Sequence, residues 1–426
     1  MSKASFKKLP GFRDFPPEEL RFRNHIFEAW RRVARRYGFQ EYDGPPLEPL
    51  DLYVEKSGPE IVGQLYNFRD KGEREVTLRP EMTPSLARIL SERSRSMPKP
   101  IRWFSMPQLF RYERQQRGRL REHFQWNVDV VGEDDVAADA EVVAVAIDGL
   151  RELGLTHEDF RARVSDRRLL SGLLGAMGVA EERLAAAFAI VDKLAREGDK
   201  TAQRLRDEAG LDADQAAQVL ELFIGATLDD LAKRFSDHAG VATEVARLQT
   251  YVGYLQAMGL GDYVEFDLSI VRGLAYYTGI VFELFDTRGE LRAICGGGRY
   301  DRLLELVGGE PLPAVGFGMG DVVLGELLKD RGLGPDPDAG VDYFIVCVDE
   351  EQRELALAIA HAQREQGRSV AYALREQGVG KQFKTAATLG AREVVVLGPD
   401  EVARGKAVVR VMASGEEREV SLEELR

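Results

Sequence analysis

The sequence predicts an α+β protein: a strand-rich region carrying a helical insertion, then a small α/β domain beyond a linker. Three observations predict it. Residues 106–132 read strand, basic loop, strand. In the second arm Phe124, Trp126, Val128 and Val130 alternate with His123, Gln125, Asn127 and Asp129, the period of a strand with one buried face. From about Leu169 to Leu255 the chain is rich in Ala, Leu, Glu and Arg with short Gly breaks, which predicts helices. Beyond Gly332-Leu333-Gly334-Pro335-Asp336-Pro337-Asp338, the clearest linker, short apolar runs alternate with helical stretches.

In chain order, Pro16-Pro17-Glu18-Glu19 opens a helix whose stripe is Phe22, Ile26, Trp30, Val33 and Tyr37, and Gly38 ends it. Residues 39–50 hold Gly44-Pro45-Pro46 and Pro49, so any strand there lies at an edge or an interface. Val76–Leu78 is a short strand. Arg79-Pro80-Glu81-Met82-Thr83-Pro84 follows it, either a rigid binding corner or an ordinary capped turn, and then a helix from about Ser85 to Ser94. Another helix spans Ala137–Leu153. After the helical insertion Val264–Asp267 is a strand, and 268–285 continues as an apolar, aromatic run broken by Arg272-Gly273, either a bulge that aims a cation or a paired core arginine. Gly296-Gly297-Gly298 allows close backbone approach, positive φ or a tight turn. A second glycine cluster, Gly316, Gly318 and Gly320, leads into a helix over Val322–Leu328. In the last domain strands are expected at 343–348, 370–374, 394–397 and 408–412, helices at 350–366 and 381–389, and a parallel sheet.

Composition narrows the function. The 426 residues favour two or three domains. A formal charge of −13 argues against indiscriminate coating of nucleic acid, yet a local basic patch can still hold RNA. Cys295 and Cys347 stand far apart without ligand-like neighbours, and the histidines form no HExxH or HxxxH pair, so no metal site is assigned to protein side chains. No apolar run reaches the roughly 18 residues of a membrane span, and the first residues lack a secretory signal, so the expected location is the cytoplasm. Neither a GxGxxG fingerprint nor a Walker A pattern occurs. Arg111, Arg114, Arg117, Arg119 and Arg121 crowd the hairpin, and planar guanidiniums at this density suit phosphates or carboxylates; a solvated loop is the plainer alternative.

Together these stretches resemble the histidyl-tRNA synthetase family of class II aminoacyl-tRNA synthetases, essentially from end to end. Residues 38–50, with Pro45, resemble motif 1, and 110–132 resemble motif 2. Arg79–Thr83 is similar to the amino-acid-binding turn, 271–279 to the histidine signature and 295–301 to its glycine-rich companion. The resemblance implies a class II antiparallel catalytic core over 1–330 with the insertion at about 169–255. It also implies a linker at 331–340 and an anticodon-binding α/β domain over 341–426. The implied activity is histidine–tRNA ligation: L-histidine and ATP give histidyl-adenylate, which is transferred to tRNA(His) by a homodimer, with Mg2+ arriving with ATP.

The resemblance makes Arg111 and Arg272 the catalytic arginines at the α-phosphate. It places Glu81, Met82, Thr83, Gln125, Asp129, Tyr276 and Tyr277 around histidine together with those arginines, and Arg114, Arg119 and Arg121 with Arg111 on ATP. Two positions depart from the family pattern. Val323 stands where motif 3 carries an arginine, and Ala275 where the signature carries an aspartate; the arginine-rich hairpin is expected to compensate. The alternative is a paralogue, the histidine-binding regulatory subunit of ATP phosphoribosyltransferase, or a tRNA-binding relative without activity. Retention of Arg272 and the domain beyond the linker favour the enzyme.

Overall fold

The computed structural model describes residues 6–112, 118–192, 199–271, 277–289, 291–335 and 340–426. Contacts divide the chain into two compact units, 1–334 and 335–426. The first opens with α1 (Pro17–Arg36), β1 (Gln40–Glu41), β2 (Leu47–Pro49), α2 (Asp51–Ser57), β3 (Asn67–Arg69), β4 (Glu75–Leu78) and α3 (Thr83–Arg93). It continues through β5 (Ile101–Ser105), β6 (Gln108–Phe110), β7 (Glu122–Val131), α4 (Val136–Arg151) and β8 (Phe160–Asp166). The helical run is α5 (Arg167–Ala176), α6 (Leu184–Val191), α7 (Asp199–Ala209), α8 (Ala213–Gly225), α9 (Leu228–Arg234) and α10 (Ala239–Ala257). Then come β9 (Val264–Phe266), β10 (Ile280–Asp286), β11 (Cys295–Arg299), α11 (Leu303–Leu306), β12 (Ala314–Gly320) and α12 (Asp321–Asp330).

The main sheet runs β1-β5-β7-β12-β11-β10-β8-β9, with β6 also on β7. Its centre is antiparallel, and only the outer pairs β1–β5 and β8–β9 are parallel. The alternation in β7 puts Trp126, Val128 and Val130 under α1 and α4, in one core with Trp30, Val33 and Phe317. Trp30 and Trp126 stack at 5.7 Å. Gly149 lets α4 come this close, because a Cβ there would lie 2.4 Å from the Trp126 indole. The sequence predicted one buried face for β7, but both are covered. Asn127 and Asp129 are buried as well, and at the end of that polar face Ile101, Val131 and Ala314 pack beneath α3 and α11.

Two local readings change. The run 268–285 is a strand only over Ile280–Asp286 among the described residues. Asp267 turns the chain instead, its carboxylate accepting from Ser269 N at 2.9 Å and Ser269 Oγ at 2.6 Å, a side-chain bond that competes with the ladder. The glycine triplet is no turn: it forms β11 in mid-sheet, and none of its glycines has positive φ. The helical run packs into the same core, Leu173 of α5 and Val245, Leu248 and Tyr251 of α10 lying with the residues of the sheet.

In the second unit β13 (Tyr343–Cys347), α13 (Arg353–Glu365), β14 (Val370–Tyr372), α14 (Val379–Thr388), β15 (Glu393–Leu397), α15 (Pro399–Ala403), β16 (Lys406–Val411) and β17 (Glu417–Ser421) build a sheet of order β14-β13-β15-β16-β17. It is mixed rather than parallel, because β15–β16 and β16–β17 pair antiparallel. β17 is a charged edge strand with a single apolar residue, Val420, packed on the core. Lys406–Glu419 at 2.7 Å and Arg410–Glu417 at 3.3 Å add to its ladder with β16, and one apolar residue leaves no hydrophobic period to read.

Arg299, at the end of β11, is buried against Asp139 of α4 at 2.5 Å and donates to the Glu133 carbonyl at 3.0 Å. Arg299→Met should destabilise the chain by about 3–5 kcal/mol by leaving Asp139 charged and dry, and adding Asp139→Leu should recover most of that loss. Denaturant melts of the three proteins measure this; a single-variant loss below about 1 kcal/mol would show that water relaxes into the site.

Candidate active site

The polar face of β7 is the floor of the site, and the neighbouring glycines make room for it. β12 lies antiparallel to β7 with Gly316 opposite Asp129 and Gly318 opposite Asn127. A Cβ on Gly316 would lie 2.2 Å from Asp129 Oδ1, and one on Gly318 would lie 2.7 Å from Gln125 Cδ. The two side chains therefore lie flat across the next strand. On the other face a Cβ at Gly297 would meet the Gly316 carbonyl at 2.3 Å and Phe317 Cβ at 2.6 Å.

Two cavities meet on this floor. The smaller, about 120 Å³, is lined by Glu81, Thr83, Arg111, Gln125, Asn127, Asp129, Tyr277 and Tyr300 together with Gly296, Gly316, Phe317 and Gly318. The larger, about 320 Å³, has Arg111, Arg119, Arg292, His123 and Gln125 as its polar side chains, and Val322 and Val323 on one wall. Arg111 and Gln125 belong to both. Carboxylates line the small cavity, whereas among the described residues the charged lining of the large one is arginine alone.

The turn that delivers Glu81 and Thr83 is held by Arg79. This buried guanidinium donates to the Gly44 carbonyl at 2.6 Å, Asp43 Oδ1 at 2.8 Å and the Gln108 carbonyl at 3.1 Å. Phe110 N donates to the Arg79 carbonyl at 3.0 Å, and Arg111 Nε to the Pro80 carbonyl at 3.1 Å, so turn and hairpin fix each other. The Tyr300 hydroxyl donates to Asp129 Oδ1.

A triad of half-buried Arg13 and the buried Glu122 and Asp321 anchors the start of β7. Arg13 donates to Glu122 Oε1 at 2.7 Å and Asp321 Oδ2 at 2.8 Å, and Asp321 Oδ1 accepts from Phe124 N at 2.8 Å. Burial pushes the Asp321 carboxyl up, and Arg13 opposes that rise. Nearby, desolvation, followed by the positive charges of Arg111, Arg13 and Arg119, pushes the His123 imidazole down to about 3. His123 therefore adds a neutral ring, not a fourth cation, to the arginine-lined cavity.

Of the site residues expected from sequence, Glu81, Thr83, Arg111, Gln125, Asp129 and Tyr277 surround the small cavity, and Arg119 lines the large one. Met82 does not face either. Its side chain is fully buried, with Sδ 3.8 Å from Arg79 Nη1. Arg121 turns away to lie 4.6 Å over the Tyr112 ring and lines neither cavity. Arg114, Arg272 and Tyr276 lie outside the described residues. Asn127, Tyr300 and Arg292 were missed as site residues. The period of β7 already placed Asn127 on the polar face and Tyr300 follows the glycine triplet, but nothing in the sequence singles out Arg292.

A family model described as histidyl-tRNA synthetase matches residues 11–320, and one described as an anticodon binding domain matches 342–426. The chain belongs to the histidyl-tRNA synthetase family. The histidine–tRNA ligase of Opitutus terrae is 44% identical over 425 residues, spanning 99% of this chain and 97% of its own. The chloroplastic/mitochondrial histidine–tRNA ligase of Arabidopsis thaliana is 42% identical, spanning 97% of this chain and 85% of that one. The crystal structure of histidyl-tRNA synthetase from Nostoc superposes with a TM-score of 0.85 at 26% identity, covering 99% of both chains. Among the described residues of this family member no helix is long and apolar enough to cross a membrane.

Two expectations follow from the site geometry. Gly316→Ala should displace Asp129 and strain the β7–β12 ladder, lowering stability by about 1–3 kcal/mol; an unchanged melt would show that β12 yields freely. A base whose folded pKa lies below its unfolded value takes up fewer protons than the unfolded chain, so its contribution to stability falls as pH drops from 6.5 towards about 3. His123→Gln should therefore flatten the loss of stability across that window. Imidazole nitrogen NMR should show His123 neutral at about pH 5, and a midpoint near the ordinary histidine value would refute its dry placement.

Proposed function

We propose that the two adjoining cavities carry out histidine–tRNA ligation, with the smaller one taking L-histidine and the larger one ATP. The observation that carries this reading is the shared position of Arg111. It stands where a carboxylate-lined cavity fit for an ammonium and a ring N–H meets an arginine-lined cavity fit for phosphates. Glu81, Thr83 and Gln125 bind the α-amino end, and Asp129, oriented by the Tyr300 hydroxyl, accepts from the imidazole beside Tyr277. Arg272 and Tyr276 join them by family resemblance.

The substrate carboxylate attacks the α-phosphorus and pyrophosphate leaves. In the second step the terminal ribose hydroxyl of tRNA attacks the acyl carbon and AMP leaves. The nucleophile of the first step is already ionised, so Arg111 and Arg272 act by neutralising and aligning charge and no protein base is required. Each such contact in a dry site contributes about 3–4 kcal/mol to transition-state stabilisation. Magnesium fits as a companion of the nucleotide. When bound it would neutralise phosphate charge beside Arg111 and Arg119, and no carboxylate lines the large cavity among the described residues.

The remaining assignments concern the parts away from the chemistry. Residues 1–330 form the catalytic domain, and 341–426 read the anticodon; the match of 342–426 to an anticodon binding domain supports this. In this second unit a cavity of about 150 Å³ is lined by residues after β13 and β14, with Arg353, Arg375 and Gln382 facing it beside Asp349, Glu350 and Glu376. The exposed prolines of residues 45–49 suit a two-fold dimer contact. The regulatory-subunit reading is the weaker one, because relatives above 40% identity over nearly the whole chain are ligases.

Histidine-dependent ATP–pyrophosphate exchange tests the assignment, and its absence in the purified chain would rule the enzyme reading out. Asp129→Ala should raise KM for histidine by at least about a hundred-fold with KM for ATP little changed. Arg272→Ala should abolish exchange while the protein stays folded, and near-normal exchange would overturn its role.

A further inference from the structure

The larger cavity has an unassigned cation. We infer that Arg292, in the connection between β10 and β11, binds the distal phosphates of the nucleotide; this rests on the ATP reading of that cavity. Among the described residues three arginines line it, Arg111, Arg119 and Arg292. Arg111 is committed to the junction with the small cavity, where the α-phosphate reacts. Arg121 lies over the Tyr112 ring instead. Among the described residues this leaves Arg119 and Arg292 to face the rest of the cavity, where the phosphates that depart as pyrophosphate would sit.

Arg292 is held there by the backbone beside it. Ile294 N donates to the Leu284 carbonyl at 2.8 Å, which pins the connection to the end of β10 two residues after Arg292. The side chain then reaches across to the hairpin. A Cβ on Gly118 would lie 4.0 Å from Arg292 Cδ and 3.3 Å from Val323 Cγ2. Gly118 has φ +72°, a conformation that favours glycine, and the missing side chain leaves Arg292 and Val323 packed along its backbone. The α12 side of this wall supplies no charge, since Val322 and Val323 line it. A guanidinium from a different element thus faces the cavity across an apolar wall, and its planar fork suits bridging two phosphate oxygens.

The test compares wild type, Arg292→Ala and Arg292→Lys as full-length chains, with unchanged melting curves confirming the fold. Arg292→Ala should raise KM for ATP in pyrophosphate exchange by about ten-fold or more, with KM for histidine changed by less than about two-fold and lysine restoring part of the loss. Calorimetry should show weakened binding of ATP and of inorganic tripolyphosphate but unchanged binding of AMP. An unchanged KM for ATP, or equal losses for ATP and AMP, would overturn the role. If wild type shows no histidine-dependent exchange, the function reading fails, and the ATP, tripolyphosphate and AMP titrations still decide Arg292.

Discussion

β7 must be buried on both faces, and the glycines of β11 and β12 are what allow it. One face carries Trp126, Val128 and Val130 into the core beneath α1 and α4. The other carries Gln125, Asn127 and Asp129, which need polar surroundings and space. Side chains at 316 and 318 would occupy the volume that Asp129 and Gln125 fill. Glycine in a strand weakens it, so the packing on the opposite face has to offset that loss. Burial of Trp126 between Trp30 and Phe317 does so, since truncating an aromatic core residue typically costs about 3–5 kcal/mol.

The charge pattern follows from the same strand. Towards its end β7 presents Asp129, hydrogen-bonded to Tyr300, and the Arg79-braced turn adds Glu81 beside it. Towards its start it presents His123 among arginines. The sign of the site therefore reverses along a few residues of one strand. Ion pairs with buried carboxylates hold this gradient from both ends. The Arg13–Glu122–Asp321 triad fixes the start of β7 to α12, and Arg299–Asp139 fixes β11 to α4. Buried pairs of this kind contribute little net stability, but they break sharply when one partner is lost, which suits parts that must keep register.

Much of this was legible in the sequence because it is written in short-range patterns. The period of β7, the stripe of α1 and the linker each depend on residues a few positions apart, and the motifs that mark the family keep their order along the chain. What misled the reading was local chemistry with a distant cause. The glycine triplet leaves close approach, positive φ and a tight turn open until β12 is laid beside it. β17 leaves no readable pattern because it is short and charged, with Val420 alone packed on the core, and it is held chiefly by its backbone ladder to β16. The run after Asp267 reads as strand because the bond from its carboxylate to Ser269 leaves no trace in hydrophobicity.

The arginines show the limit most clearly. Arg119 and Arg121 are two residues apart in one loop and look equivalent in the sequence, yet one lines the large cavity and the other lies over Tyr112. Arg292 stands far along the chain and looks like any surface cation, yet the sheet carries it to the same cavity. The sequence by itself determined the strand that builds the floor, the polar residues on it and the family, since periodicity and motif order are properties of the chain. Only the tertiary structure decided which cations face the cavity and which glycines clear the floor. Those depend on which strands lie side by side, and strand neighbours here are set by long-range pairing that no local pattern encodes.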